Sequence, residues 1–363
     1  MSHQKGKKIV IKIGSNVLTQ SDGTPDRERM AALVDQISFL REKELQVILI
    51  TSGAVAYGRK SFSLIEKTDA VVQKQILSAI GQVELIQAYK QLFLEKTVPV
   101  AQIMVTKSDF RDRKHYLNMK GCLEGLLKNK VLPVINENDT VSVTELMFTD
   151  NDELAGLVAA MMDAHTLIIL SNVDGIFNGH PDHPETELIE RVAPNSPSLS
   201  HFIAASKSSF GRGGMITKMN MAKKSANLGI EVLIANGKRE NVLIDYYHNK
   251  LKCTYFEPGK AKLNPKKWIA HSDHYSKGEV VINQGAEKAL NSGQTVSLLP
   301  VGILAIHGDF IKGEVVRIIA EDGRKIGLGK AAYGAKVAQE KLGLNNQKPL
   351  VHYDYLYLFD HSA

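Results

Sequence analysis

The sequence predicts an α/β fold: a mostly parallel sheet flanked by helices, followed by a small β-barrel-like domain. One observation is a series of continuous Val, Ile and Leu runs, which are typical of parallel strands covered on both faces. Another is that helix-length segments separate these runs, as in βαβ units. A third is the change to short, glycine-punctuated strands near the end of the chain. With 363 residues, the chain is long enough for two domains.

The strands of the first part are predicted from apolar runs that polar residues hardly interrupt. Two segments between them, residues 27–44 and 152–162, carry apolar residues at helical spacing and are predicted as amphipathic helices. Strands that alternate with helices of this size favour an α/β/α sandwich. The predicted strands are residues 8–13, 46–51, 98–105, 131–136, 166–170 and 231–235.

The character of the sequence changes after Glu257, where Pro258 and Gly259 indicate a turn and a basic stretch with Pro265 follows. We therefore expect a first domain at 1–257, a linker at 258–273 and a second domain at 274–363. The short strands predicted for the second domain are residues 279–282, 295–298, 303–307, 314–319, 325–328 and 350–359.

Composition narrows the class of protein. Hydrophobic residues make up 44% and charged residues 23%, which excludes a disordered chain. The net charge of +6 permits an anionic ligand or nucleic acid without requiring either. Two cysteines cannot form a disulfide framework, so we expect a reducing, cytoplasmic location. No apolar run approaches the roughly 18 residues of a membrane span.

Two clusters of candidate site residues follow the first two predicted strands. Lys12 and Gly14 end the first strand, at the edge where open α/β sheets bind ligands, and a lysine there supplies charge to a phosphate. A solvated strand end is the alternative. Ser52 and Gly53 follow the second strand, where glycine permits a close backbone approach. An ordinary strand-to-helix turn is the alternative there.

A third cluster is dense in amides and carboxylates beside an apolar strand: Asn136, Asp139, Asp150, Asn151 and Asp152. Such groups are costly to bury unless they have partners. They suit recognition of an α-amino group and the ordering of lysines or other cations. Helix capping is the competing explanation for Asp150 or Asp152, because a predicted helix begins there.

A fourth cluster, residues 211–218, runs from glycine-rich backbone into a helix and ends on Lys218. Glycine-rich backbone at a helix N-terminus presents N–H groups to an anion. The spacing matches neither a P-loop nor a dinucleotide-binding fingerprint, and a flexible loop is the alternative. Taken together, positioned lysines and phosphate-binding backbone favour phosphoryl transfer.

These residues carry a resemblance to the amino acid kinase family that covers nearly the whole chain. The motifs are residues 10–15 (VIKIGS), 51–56 (TSGAVA), 133–139 (PVINEND), 150–152 (DND) and 213–218 (GGMITK). The stretch 136–139 (NEND) is the most specific of them. The C-terminal part, through residues 267–269, 297–302 and 308–310, resembles a PUA domain, a module that binds RNA in other proteins.

The resemblance implies ATP- and Mg²⁺-dependent phosphorylation of the side-chain carboxylate of L-glutamate to L-glutamyl 5-phosphate, the first step of proline biosynthesis. Two alternatives stay open: another amino acid kinase acting on aspartate or N-acetylglutamate, or an RNA-binding protein acting through the PUA-like domain. The resemblance further implies a homo-oligomer (dimer or tetramer), proline as a feedback inhibitor and glutamyl phosphate reductase as a pathway partner.

The resemblance also implies roles for individual residues. Lys12 and Lys218 would stabilise the transferring phosphoryl group, and Asp152 would orient them. Ser52, Asp139 and Asn151 would bind glutamate, with Gly53, Asn136 and Asp150 nearby. Ser171-Asn172 replaces the usual Thr-Asp nucleotide contact, and Arg212 replaces a small residue. The nucleotide set is Lys12, Gly14, Ser171, Asn172, Arg212, Gly213, Gly214, Met215, Ile216, Thr217 and Lys218.

Overall fold

The computed structural model describes residues 5–64, 69–141, 151–179, 185–194, 196, 215–260, 264–270, 272–273, 276–292 and 294–359. The chain divides into two compact units, Met1–Ala261 and Lys262–Ala363. The segment predicted as a linker contains a helix, Asn264–Ala270, in which Trp268 and Ile269 are buried. The assignment of ATP and glutamate binding to residues 1–257 stays a prediction.

Within its described residues, the first unit is built on an eight-stranded sheet with the order β3-β4-β2-β1-β5-β7-β8-β6. All neighbours pair in parallel except β7 and β8, which are antiparallel. This confirms the predicted mostly parallel sheet. The strands are β1 (Lys8–Ile13), β2 (Gln46–Ile50), β3 (Val100–Val105), β4 (Leu132–Glu137), β5 (Thr166–Ser171), β6 (Arg191–Val192), β7 (Glu231–Asn236) and β8 (Thr254–Phe256).

Helices connect these strands, and acidic N-caps fix the start of several of them. The Asp26 carboxylate accepts a hydrogen bond from the Arg29 backbone N–H, and Asp69 accepts from the N–H groups of Val71 and Val72. The helices are α1 (Arg27–Glu42), α2 (Ala54–Ser61), α3 (Ala70–Glu95), α4 (Lys107–Arg111), α5 (Arg113–Lys128), α6 (Asn151–Met161), α7 (Met215–Asn227) and α8 (Val242–Tyr247).

The core of the first unit explains where polar chemistry can occur. Every residue of β4 and β5 is buried, as expected for strands covered on both faces. The middle of the sheet therefore offers little room for polar groups, whereas the strand ends can carry them. Because β1, β2, β4 and β5 are parallel neighbours, their carboxyl ends lie along one edge of the sheet.

The second unit has, among its described residues, a five-stranded sheet with the order β10-β9-β11-β12-β13. The predicted strand at 295–298 is wrong, because this segment forms only a single bridge, from Leu298 to Val351, before a short helical turn at Pro300–Gly302. The strands are β9 (Gly278–Ile282), β10 (Ile303–Gly308), β11 (Val315–Ala320), β12 (Lys325–Ala331) and β13 (Val351–Leu358), with helices α9 (Asn264–Ala270), α10 (Gln284–Asn291) and α11 (Ala335–Glu340).

Across the described ranges, no helix combines the length and apolar character needed to cross a bilayer.

Candidate active site

The charged centre of the site consists of Lys12, Asp152 and Lys218. Lys12 lies near the end of β1, Asp152 is the second residue of α6, and Lys218 lies in the first turn of α7. Lys12 Nζ is 2.5 Å from Asp152 Oδ1, and Lys218 Nζ is 2.8 Å from Asp152 Oδ2. Two lysines from distant parts of the sequence therefore meet on the two oxygens of one carboxylate.

This centre is almost removed from water: Lys12 is 4% exposed and Asp152 is 0% exposed. Burial alone would raise the pKa of Asp152, but the charges and hydrogen bonds of Lys12 and Lys218 outweigh burial and hold that pKa below its usual value. The start of α6 also favours a negative charge. The carboxylate is thus ionised at neutral pH and holds both lysine side chains in place.

Gly14 lies where the chain leaves β1 and passes closely over β5. Its backbone N–H donates to Leu170 O at 3.0 Å. A Cβ at this position would lie 3.1 Å from that oxygen and 3.8 Å from Lys12 Nζ. Glycine therefore lets the backbone remain close to both the neighbouring strand and the lysine.

A cluster of neutral polar side chains lies at the ends of β2 and β4. Asn151 Nδ2 donates to Thr51 O at 2.8 Å, to Ser52 Oγ at 2.9 Å and to Asn136 Oδ1 at 3.1 Å. Asn136 is buried and donates in turn to Gln82 Oε1 at 2.8 Å. We call Ser52, Gln82, Asn136 and Asn151 the amide cluster. It adjoins the charged centre because Asn151 precedes Asp152.

Helix α3 carries a row of polar side chains that includes Gln82 of this cluster, and the sequence reasoning missed it. Lys74 Nζ lies 2.7 Å from Asp139 Oδ1, and Ser78 Oγ donates to Asp139 Oδ2 at 3.0 Å. With Gln82, these residues recur every fourth position and share one helix face. The sequence does carry a signal for this row, which is the helical spacing of polar residues within an otherwise apolar helix. Ser78 and Gln82 are buried in the structure, so they are not simply the solvent-facing side of the helix.

Two glycines bring α3 against α2. A Cβ on Gly58 would fall on the backbone of Leu77, and one on Gly81 would fall on the backbone of Ala54. The two helices therefore touch backbone to backbone. At the start of α2, Gly53 adopts a left-handed φ of 107°, which side-chain-bearing residues rarely do.

The residues predicted to contact the nucleotide lie at the end of β5 and the start of α7. Ser171 is buried, and its backbone oxygen accepts from Gly237 N at 2.7 Å. Asn172 follows it directly, whereas Met215, Ile216 and Thr217 form the first turn of α7 with Lys218. Four predicted site residues lie outside the described ranges: Asp150, Arg212, Gly213 and Gly214.

Nearby, Arg239 and Asp174 form an ion pair that the sequence reasoning did not single out. Arg239 donates to both oxygens of Asp174, at 2.9 and 2.7 Å, and Asn236 donates to Asp174 at 3.1 Å. The Arg239 and Asn236 hydrogen bonds hold the pKa of Asp174 below its usual value against partial burial. These contacts tie the loop after β5 to the end of β7.

Comparisons with known proteins confirm the resemblance to the amino acid kinase family and to the PUA domain. The amino acid kinase family matches residues 7–236, and the PUA domain matches residues 278–350. A protein of Bacteroides thetaiotaomicron named glutamate 5-kinase is 51% identical over 358 residues, covering 98% of this chain and 99% of that protein. A protein of the same name from Chlorobaculum tepidum is 46% identical over 361 residues, covering 99% of each. This chain belongs to the amino acid kinase family and, within it, to the glutamate 5-kinase family.

Proposed function

We propose that the protein transfers the γ-phosphoryl group of ATP to the side-chain carboxylate of L-glutamate, giving L-glutamyl 5-phosphate and ADP in the first step of proline biosynthesis. The observation that carries this proposal is the meeting of Lys12 and Lys218 on the buried Asp152 at the carboxyl edge of the sheet. The relatives named glutamate 5-kinase, matched over nearly the full chain, support the choice of substrate.

The acceptor is a carboxylate, which is already ionised at pH 7, so the reaction requires no general base. An acceptor oxygen forms a bond to the γ-phosphorus as the bond from phosphorus to the ADP oxygen breaks. The obstacle is repulsion between two anions. Lys12 and Lys218 counter it with positive charge, and Asp152 keeps both in position before the substrates arrive.

Glutamate binds in the amide cluster. Ser52, Asn136 and Asn151 supply neutral hydrogen-bonding groups, Gly53 lets the backbone turn into α2, and Asp139 supplies a negative charge for the α-ammonium group. The support for this placement is the chain of hydrogen bonds that joins Ser52, Asn151 and Asn136 next to Asp152. Asp150 belongs to the proposed glutamate site by the family motif alone.

ATP binds beside Gly14, Ser171 and Asn172, with residues 212–218 along its phosphates. Mg²⁺ enters as the ion carried on the phosphate oxygens of ATP, the binding mode typical of this cation. Ser171 and Asn172 lie one strand away from Lys12, since β5 pairs with β1. The roles of Arg212, Gly213 and Gly214 rest on the glycine-rich motif.

A coupled ADP-release assay with L-glutamate, L-aspartate and N-acetyl-L-glutamate tests the reaction. Hydroxylamine in the mixture converts an acyl phosphate to a hydroxamate, which shows that a carboxylate was phosphorylated. We expect turnover and hydroxamate with glutamate, and far less of both with the other two acids. Greater turnover with aspartate or N-acetylglutamate, or ADP release without hydroxamate, would contradict the proposal.

Further properties follow from the family alone and are proposed with it: a cytoplasmic location, a dimer or tetramer, feedback inhibition by proline and a reductase that consumes the labile acyl phosphate. RNA binding is proposed for the second unit because the PUA domain matches residues 278–350. A gel shift with tRNA tests it. Binding that fades steeply with salt and shows no sequence preference would be only electrostatic.

A further inference from the structure

We propose that Lys74 is a specificity-determining residue that binds the α-carboxylate of the amino-acid substrate, while Asp139 beside it binds the α-ammonium group. The inference rests on the proposed function, because it concerns how L-glutamate is recognised in the same pocket. It assigns a role to α3, which carries none of the site residues expected from the sequence.

The geometry presents a positive and a negative charge side by side. Lys74 Nζ lies 2.7 Å from Asp139 Oδ1, with the lysine side chain 43% exposed and the aspartate side chain 13% exposed. Ser78 Oγ holds the other carboxylate oxygen at 3.0 Å. The anion is therefore recessed and fixed, whereas the cation next to it is accessible to a ligand.

An α-amino acid carries opposite charges on one carbon. When the amino acid lies beside the Lys74–Asp139 pair, each of its charges can face the opposite charge of the protein. Its carboxylate then contacts the lysine, and its ammonium group contacts the aspartate. Both partners have the capacity for this, since an ammonium group has three donors and a carboxylate about four acceptor positions. Each new contact is a charge-assisted hydrogen bond, the stronger kind.

The position of the pair also orients the substrate. One turn along α3 from Ser78, Gln82 bonds to Asn136, and Asn136 accepts from Asn151, which adjoins Asp152. A substrate whose α-carbon lies at Lys74 and Asp139 can extend its side chain along this cluster toward the two catalytic lysines. N-acetylation would neutralise the group that Asp139 binds, so we expect the site to discriminate against N-acetylglutamate.

Two analogues of glutamate, each lacking one of its charged groups, distinguish the proposed contact with Lys74 from the proposed contact with Asp139. Glutarate lacks the α-ammonium group, and 4-aminobutyrate lacks the α-carboxylate. We expect Lys74→Met to raise the KM for glutamate and the Ki of glutarate, as a competitor of glutamate, by about tenfold. The Ki of 4-aminobutyrate should stay within about twofold of wild type, because that ligand carries nothing for Lys74 to bind.

The opposite pattern overturns the assignment. If Lys74 only holds Asp139 in place, Lys74→Met weakens 4-aminobutyrate and leaves glutarate unchanged; if Lys74 has no role, none of the three ligands responds. Lys90→Met, at an exposed position of the same helix, is the matched control and should leave all three unchanged. Lys74→Arg, which keeps the charge, should retain most of the glutarate affinity. Failure of the wild type to phosphorylate glutamate would instead overturn the proposed function.

Discussion

The charged centre and the amide cluster are neighbours in the same site, yet they are built on different principles. The charged centre joins three ionisable side chains: Lys12 and Asp152 are buried, and Lys218 beside them is partly exposed. The amide cluster uses neutral groups linked by hydrogen bonds, such as Asn136 and Asn151. Buried charges are stable only as a set, because loss of one member strands the others. Neutral amides can exchange partners at a lower cost.

Because of this difference, we expect the charged centre and the amide cluster to have different roles in the reaction. Fixed charges suit the end of the site where we propose that phosphoryl transfer takes place, since their positions must not change when charge develops. Exchangeable amides suit the end where we propose that the substrate glutamate enters and leaves. Substitutions at the charged end should therefore reduce kcat or stability, and those at the amide end should mainly raise the KM for glutamate.

The largest effect is expected from Lys218→Ala. Removing one of the two ammonium groups takes charge stabilisation away from the migrating phosphoryl group, so kcat should fall by about 10²–10³. Steady-state ADP-release kinetics measure this. Lys128→Ala, at the exposed end of α5, is the control and should keep wild-type kcat. A variant that retains more than about a tenth of wild-type kcat would contradict the role of Lys218.

Asp152→Asn should lower the free energy of unfolding of the first unit by about 3 kcal/mol at pH 7, because it leaves the buried ammonium group of Lys12 and the partly exposed one of Lys218 without their shared counter-charge. Urea unfolding followed by circular dichroism measures the loss. The chain has one tryptophan, Trp268, which lies in the second unit. Its fluorescence therefore reports on the second unit, which the substitution does not alter.

The same variant gives the pH dependence of the charged centre. The pKa of Asp152 is lower in the folded protein than its ordinary value of 3.8. Its contribution to stability is thus complete above that value and is lost as the pH falls through the folded-state pKa. The stability difference between wild type and Asp152→Asn should be constant near neutrality and shrink below about pH 4. A difference that instead grows with acid would reverse the assignment.

Asn151→Ala removes the donor that joins Thr51, Ser52 and Asn136. We expect the KM for glutamate to rise about tenfold, with a smaller change in kcat and an unchanged KM for ATP. Asn129→Ala, at the C-terminal cap of α5, is the matched control. If kcat fell as far as in Lys218→Ala while the KM for glutamate stayed constant, the contrast between the two ends would disappear.

The smallest effect is expected from Ser78→Ala, which removes one hydrogen bond to the Asp139 carboxylate. The KM for glutamate should rise about threefold, since Lys74 still holds the other oxygen. Ser61→Ala, at the exposed end of α2, serves as the comparison. An effect as large as that of Asn151→Ala would mean that Ser78 contacts the substrate itself.

Much of the first unit could be predicted because strands buried on both faces leave continuous apolar runs. The runs at 46–51 and 231–235 correspond to β2 and β7 within one residue. The predicted ends of helices and strands were less accurate where a change in backbone conformation ends the element. The helix predicted over 27–44 ends at Glu42, and Glu44 then adopts a left-handed φ of 61°. Such a reversal leaves no mark on the apolar pattern.

The site was only partly predictable from the sequence. Its residues stand at strand ends and helix starts, which local patterns reveal. The convergence of Lys12 and Lys218 on Asp152 was expected from the family resemblance, because no local pattern specifies a distance between residues so far apart in the chain. Lys74, Ser78 and Gln82 were missed, since their importance depends on α3 lying against the end of β4. Their roles and those of the predicted site residues stay predictions.

The backbone contact between α2 and α3 has a consequence for how this scaffold could acquire a different substrate. The backbones of α2 and α3 are in direct contact at Gly58 and Gly81. We therefore expect that α3 cannot slide or tilt to make room for a larger acceptor without losing this contact between the two helices. A change of acceptor acid is expected to arise from new side chains at positions 74, 78 and 82, while alanine at either glycine would disturb every acceptor alike.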